Sequence, residues 1–210
     1  MTPDKIFRLI WSGNYTTTGD DVDWKIYVDE YEKIIHLVFK YSDSKTDWKN
    51  NFIFRFNYYL RDKVKMLVAS GWAEAYHSAR GVILDALFKE FEKYNEKYKI
   101  EIDGHSYGGA VALICAEDIN FTYGIKPDVV TFGAPKPFFG WKTVKYVKSC
   151  CGTIRQYVHV NDCVPLMPPF FGYHHCNKVR LGKICNPICL FNPKKWHLIY
   201  DKPELYDIRI

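Results

Sequence analysis

The reading of this chain turns on residues 98–116, where Tyr98-Lys99-Ile100-Glu101-Ile102-Asp103 runs into Gly104-His105-Ser106-Tyr107-Gly108-Gly109 and then into an apolar stretch, 110–116. The order is strand, glycine turn, helix. Gly104, Ser106 and Gly108 form a G-x-S-x-G pattern, in which the bend is so sharp that only small residues fit on either side of the serine. Such a bend lifts the Ser106 hydroxyl clear of the sheet. It also sets the Tyr107 backbone N–H at a helix N-terminus, where the dipole and first-turn donors favour a developing oxyanion.

Working outward, Ile83, Leu87, Phe91, Tyr94 and Tyr98 recur at helical spacing and predict an amphipathic helix from Ala79 onward. Upstream, the β-prone runs 26–28 and 34–39 flank a polar stretch, 29–33, and read as a hairpin or two adjacent strands. Phe52, Phe54, Phe56, Tyr58 and Leu60 alternate with period two, which favours one face of a strand over an acyl-binding wall. Downstream, strands are predicted at 129–132 and 154–160, the second running into Asn161-Asp162. Alternating β and α segments of these lengths indicate an α/β sheet that is at least partly parallel. The tail from Cys163, rich in Pro and Cys, gives no assignable element. With 210 residues and no linker or repeat, the expectation is one domain over 1–210.

Composition narrows the function classes. A hydrophobic fraction of 48% with 25% charged residues excludes wholesale disorder and fibrous repeats. The net charge is +5, but basic and acidic residues interleave, as in 89–99, so no nucleic-acid stripe is expected. Seven cysteines cannot all pair internally, and reduced thiols in an intracellular, cytoplasmic setting are the simplest expectation. The first 23 residues hold one short apolar run, 6–11, interrupted by Arg8, which is too little for a secretory signal. No apolar segment approaches the ~20 residues that span a bilayer, so no transmembrane segment is expected.

A serine needs a histidine to take its proton and a carboxylate to orient that histidine. In hydrolases with this elbow the order is serine, acid, histidine. Glu117 and Asp118 belong to the helix after the serine and Asp128 precedes its strand, whereas Asp162 follows the carboxyl end of 154–160. Asp162 is therefore the acid. On spacing alone His174, His175 and His197 all remain open as the base; His105 sits inside the elbow, and His36, His77 and His159 have no catalytic place in chain order. A histidine base must be neutral, so kcat/KM should rise with pH across roughly pH 6 to 7.5. His174, His175, Cys176, Cys185, Cys189 and His197 crowd the tail without the C-x2-C spacing of zinc sites, so no metal and no cofactor is expected.

Several segments together resemble the class 3 lipases. Residues 104–110, Gly-His-Ser-Tyr-Gly-Gly-Ala, resemble that family's G-H-S-L-G-G-A elbow. Val68-Ala69-Ser70-Gly71-Trp72 is similar to its V-H-x-G-F stretch, and Val130-Thr131-Phe132-Gly133-Ala134-Pro135-Lys136 to its T-F-G-x-P-R strand end. Residues 160–169 resemble the N-x-D-x-V-P-x-L-P-P acid loop, and Trp196-His197-Leu198-Ile199-Tyr200 the D-H-x-x-Y segment, with Trp196 in place of the usual Asp. The likeness covers about residues 34–200. It implies an α/β-hydrolase fold, with a mostly parallel central sheet flanked by helices. It also implies a serine hydrolase that cleaves carboxylic (acyl) esters, above all lipid esters, through Ser106, Asp162 and His197 and an acyl-enzyme.

The same resemblance supplies the remaining parts. Phe39-Lys40-Tyr41-Ser42 is similar to the family's F-R-G-T/S loop, so Ser42 is implied as the oxyanion donor that works with Tyr107. Tyr41 departs from the usual glycine and Lys40 from arginine. The family's lid would fall on 45–51, where only Trp48 is strongly apolar; this implies modest interfacial activation and transient contact with lipid surfaces. The alternative is a catalytically inactive lipase-like interaction module, which Tyr41 and Trp196 favour and the complete Ser, Asp and His set opposes.

Overall fold

The computed structural model describes residues 1–18, 22–41, 56–61, 64–94, 97–169, 171–182 and 193–202. The chain opens with helix α1 (Pro3–Trp11), whose proline occupies a first-turn position that has no helical partner for an N–H. Strands β1 (Thr16–Thr18), β2 (Val22–Asp29) and β3 (Ile34–Tyr41) follow. Asp29 closes the β2–β3 hairpin, its Oδ1 accepting the N–H groups of Tyr31 and Glu32 at 3.0 and 2.9 Å. Next come β4 (Phe56–Arg61), β5 (Val64–Ala69), helix α2 (Ser70–Lys93), β6 (Lys99–His105) and helix α3 (Tyr107–Tyr123). The remaining elements are β7 (Asp128–Phe132), β8 (Phe138–Phe139), α4 (Trp141–Cys150), β9 (Ile154–His159), β10 (Lys178–Leu181) and α5 (Pro193–His197).

Seven strands form the main sheet in the order β1-β2-β3-β6-β7-β9-β10. The first two pairings are antiparallel and those from β3 to β10 are parallel. A separate antiparallel sheet joins β4, β5 and β8. Period-two alternation gives the main sheet two apolar faces. Ile35, Leu37, Phe39, Ile100 and Ile102 pack with α2 and α3, while Val38, Val130, Phe132, Tyr157 and Leu181 pack under Ile6, Phe7 and Ile10 of α1. Burying a side chain such as Phe7 stabilises by about 1.5–3 kcal/mol. These parallel strands point their carboxyl ends at one rim of the sheet, where such folds place their sites.

Two sequence expectations change. The helix foreseen from Ala79 to Tyr98 runs instead over Ser70–Lys93. Its first turns are held by Trp72, Ala73, Ala75, Tyr76 and Ala79, a mostly small buried stripe that hydrophobic spacing alone does not flag. Tyr98 lies beyond the helix and stacks on Tyr94 at a ring separation of 4.3 Å. Of the alternating aromatic run, the described part begins at Phe56, and 52–55 lie outside the described residues. The unassigned tail supplies β10, which extends the sheet beside β9, and α5. No described helix is long and apolar enough to cross a membrane.

Candidate active site

Ser106 stands between the last residue of β6 and the first of α3 with φ 56° and ψ −125°. A side chain at positive φ is strained by roughly 1–3 kcal/mol, so the surroundings must hold it there. The Ser106 N–H donates to the Phe132 carbonyl at 2.9 Å, and the Gly109 N–H donates to the Ser106 carbonyl at 3.0 Å. The flanking glycines are required by space. A Cβ on Gly104 would lie 2.4 Å from the Gly108 carbonyl oxygen, and one on Gly108 would lie 2.5 Å from that of Phe39. Strand, helix and the end of β3 close on one another only without those side chains. Tyr107, the first residue of α3, is buried at the positive end of that helix.

Asp162 lies just past β9 and is buried. Its Oδ1 accepts the Val164 N–H at 3.0 Å. Its Oδ2 receives His197 Nδ1 at 2.9 Å and the Tyr200 hydroxyl at 2.6 Å. A carboxylate with that many donors is oriented from both oxygens. His197 ends α5 and is likewise buried, and its Nε2 has no hydrogen-bond partner among the described residues. With Nδ1 committed to Asp162, that nitrogen is left to accept a proton. Gly133, at φ +57°, brings the end of β7 against this pair. A Cβ there would meet Asp162 Oδ2 at 2.7 Å, His197 Cε1 at 3.0 Å and the Tyr200 hydroxyl at 3.0 Å. The residue before it, Phe132, is the one that binds the Ser106 N–H, so the elbow and the Asp162–His197 pair adjoin one strand end.

The other histidines have different work. His175 donates through Nε2 to the Pro165 carbonyl at 3.0 Å, Gln156 approaches its Nδ1 at 3.4 Å, and burial pushes its pKa down to about 4. His174 stacks on Trp141 with ring centroids 3.9 Å apart. Neither is bonded to Asp162, whereas His197 is. His105 lies beneath the elbow, its Nε2 2.8 Å from the His197 carbonyl oxygen and its ring 5.3 Å from Phe7 and 5.6 Å from Trp11. Burial, with nearby His197, holds His105 well below the usual histidine range, so it is neutral and donates that bond. Trp196 lies flat on His159 at 5.0 Å and 15°, a ring contact where the family has an acid.

Ser42 and the expected lid, 45–51, lie outside the described residues. So do Cys185 and Cys189 of the metal-like tail. Among the described residues the one convergence of possible metal-binding atoms is elsewhere, on β3 and β6. His36 Nδ1 is 2.7 Å from Asp103 Oδ2 and 3.6 Å from Glu101 Oε1, and Arg155 Nη2 donates to Glu101 Oε2 at 3.0 Å. Burial and the neighbouring Asp103 charge push Glu101 up to about 7. Burial works against the charged form of His36 too, but the hydrogen bond and charge of Asp103 outweigh it and raise its pKa. His36 and Arg155 thus each hold one of the two acids, in a quartet whose acids are buried on the strand that leads into the elbow. Sequence reading missed the quartet, Gly133 and Tyr200. The available signals were two acids at alternate positions in an otherwise apolar strand, and the tyrosine three residues after the histidine.

A serine at such an elbow, with an Asp–His pair at the carboxyl ends of the following strands, defines an α/β-hydrolase. The chain belongs to the class 3 lipases: the profile of that family, Lipase (class 3), matches residues 36–172. It is 31% identical over 173 residues to the lipase of Rhizomucor miehei, covering 78% of this chain and 46% of that protein. It is 28% identical over 172 residues to the secreted mono- and diacylglycerol lipase 1 of Fusarium solani, covering 78% of this chain and 48% of that one. The crystal structure of Rhizomucor miehei triacylglyceride lipase superposes with a TM-score of 0.70 at 26% identity, over 80% of this chain and 64% of that one. The chain thus spans about half the length of these curated relatives. They also correct one expectation. A relative named as secreted points to an extracellular rather than a cytoplasmic setting. An odd cysteine count limits pairing without reporting the compartment, and Cys115, Cys150, Cys151, Cys163 and Cys176 are all free thiols here.

Proposed function

We propose that this chain hydrolyses carboxylic esters, in particular lipid esters, with residues 1–210 acting as one catalytic domain. The observation that carries the reading is His197, bonded through Nδ1 to Asp162 while its buried Nε2 has no partner among the described residues. In the proposed cycle Ser106 Oγ bonds to the ester carbonyl carbon as its proton passes to His197 Nε2. The carbonyl electrons move onto oxygen, and the Tyr107 N–H at the head of α3, with Ser42, stabilises that charge. The oxyanion collapses, the C–O bond to the alcohol breaks, and His197 returns its proton to the departing alkoxide oxygen. Water then attacks the acyl carbon while His197 takes its proton, the bond from carbon to Ser106 Oγ breaks as His197 returns the proton to Oγ, and the carboxylic acid leaves.

Asp162 stays ionised throughout and stabilises the imidazolium that forms twice per turnover. Support for the lipid class comes from the relatives, which are named as lipases, one of them a mono- and diacylglycerol lipase. The departure at Trp196, which favoured an inactive module, has a structural role in its contact with His159. The test is a fluorophosphonate probe read by peptide mass spectrometry, with turnover of a p-nitrophenyl ester alongside. An adduct on Ser106, and loss of both labelling and turnover in Ser106→Ala, is the expected result. A folded protein that neither labels nor turns over would defeat the proposal.

A further inference from the structure

Helix α4 buries Thr143, Val144, Val147 and Cys150 against the body of the protein. Its outer face carries Trp141, Lys142, Lys145 and Lys148, all exposed, and the sequence Trp-Lys-Thr-Val-Lys-Tyr-Val-Lys-Ser-Cys contains no acid. Trp141, Lys145 and Lys148 follow at i, i+4 and i+7, which is one stripe. Beneath the helix Glu117 is held by Arg61 at 3.0 Å, so its charge is already matched. Lys148, at the end of the stripe, opens onto a cleft shared with Thr153, Arg155 and Asn177, where Arg155 is already paired with Glu101 and Thr153 is bonded to Asp128.

Large apolar groups stand beside these cations. Trp141 is 69% exposed even though His174 stacks on it. The Gly140 N–H donates to the Gly172 carbonyl at 2.7 Å, which ties the start of α4 to the loop carrying Phe171, itself fully exposed. That loop comes directly from Asp162 and also exposes Leu166 at 62%. Lysines alone would suit any polyanion. Two largely exposed aromatic rings beside them suit a surface with anionic headgroups outside and acyl chains within, because aromatic side chains settle at that boundary and lysines hold the headgroups.

We propose that the outer face of α4 and the adjoining Phe171 loop dock this protein on an anionic lipid surface, beside the loop that carries Asp162. The choice of a lipid as occupant rests on the reading of the site as a lipid-ester hydrolase, so the test keeps the two apart. Ser106→Ala protein is mixed with vesicles of phosphatidylcholine and with vesicles that also contain phosphatidylglycerol, and the bound fraction is read by co-sedimentation. Binding to the phosphatidylglycerol vesicles and weak binding to the others is expected. Each lysine near such a surface contributes about fivefold, so Lys142→Gln/Lys145→Gln/Lys148→Gln in that background should weaken partition by roughly a hundredfold. Trp141→Ala/Phe171→Ala should weaken it by at least about tenfold.

In the Ser106-intact chain the same substitutions should leave hydrolysis of p-nitrophenyl acetate unchanged, which also reports that the variants fold. Equal binding to both vesicle types, or an unaffected lysine triple variant, would overturn the proposal. So would an unaffected aromatic variant whose binding heparin abolishes, since that result marks a general polyanion site. Vesicle binding without ester hydrolysis would defeat the functional reading and leave the docking face standing.

Discussion

The hydroxyl of Tyr200 donates to Asp162 Oδ2 across 2.6 Å, the same oxygen that holds His197 Nδ1 at 2.9 Å. Tyr200 also receives the His159 backbone N–H at 3.2 Å and is fully buried, so its position is fixed by the sheet. In the proposed cycle it is a positioning residue for Asp162. Tyr200→Phe keeps the ring and removes the donor. A hydrogen bond to a charged group is worth about 1.5–3 kcal/mol, so kcat should fall roughly tenfold to a hundredfold with KM little changed. Steady-state kinetics on a soluble ester check this, and a change confined to KM would contradict it.

Gly133 leaves no room for a side chain, since a Cβ would press on both Asp162 and His197. Gly133→Ala should cost about 1–2 kcal/mol for the left-handed backbone alone. Displacing the Asp162–His197 pair by about 1 Å should cost up to roughly a hundredfold in turnover. Urea unfolding and kinetics measured on the same sample separate the two effects. Activity that falls only as far as the folded fraction would show that the crowding is relieved elsewhere.

His105 holds the His197 backbone through its carbonyl, and so positions the base of the proposed cycle. His105→Leu would leave that buried carbonyl without this donor, at a cost of about 1–3 kcal/mol. Turnover should drop by roughly tenfold or more, and His105→Gln, which retains an N–H donor, should recover part of it. Equal loss in both variants would mean that shape rather than the hydrogen bond governs the position.

His175 gives the stability a pH dependence. An unfolded chain takes up a histidine proton near pH 6.5, whereas folded His175 resists protonation until about 4. The unfolded state therefore binds more protons between those values. Stability is intact above the upper limit and falls as pH drops towards the lower one, by at most about 3 kcal/mol. Glu101, pushed up to about 7, holds its proton in the folded state and acts in the opposite sense. The readout is accordingly the difference between wild type and His175→Gln in urea midpoints at about pH 7.5 and about pH 4.5. The gap should narrow or reverse at acid pH, and parallel pH profiles would refute the assignment.

What could be read in the sequence was what steric necessity writes there. Gly104 and Gly108 are forced by carbonyl contacts near 2.5 Å, so the elbow is visible as a pattern. Asp162 was reachable because its strand is a clean β-prone run that ends in a polar turn. Spacing could not choose among the histidines, because what sets His197 apart from His175 is its through-space pairing with Asp162. The start of α2 was missed because alanines bury a face without a strong apolar signal. The His36–Glu101–Asp103–Arg155 quartet was invisible for a related reason. Its members are 119 positions apart at the extremes (155 − 36) and meet only because β3, β6, β7 and β9 lie side by side.

The flat contact of Trp196 on His159 puts an aromatic clasp where the family uses a charged residue next to its base. Mobile ions screen charges over about 10 Å at 0.1 M and leave ring-on-ring contact nearly untouched. In concentrated brine the hydrolytic centre should therefore keep its shape while a lysine-held docking face lets go, so ionic strength would detach this protein from a surface without switching it off.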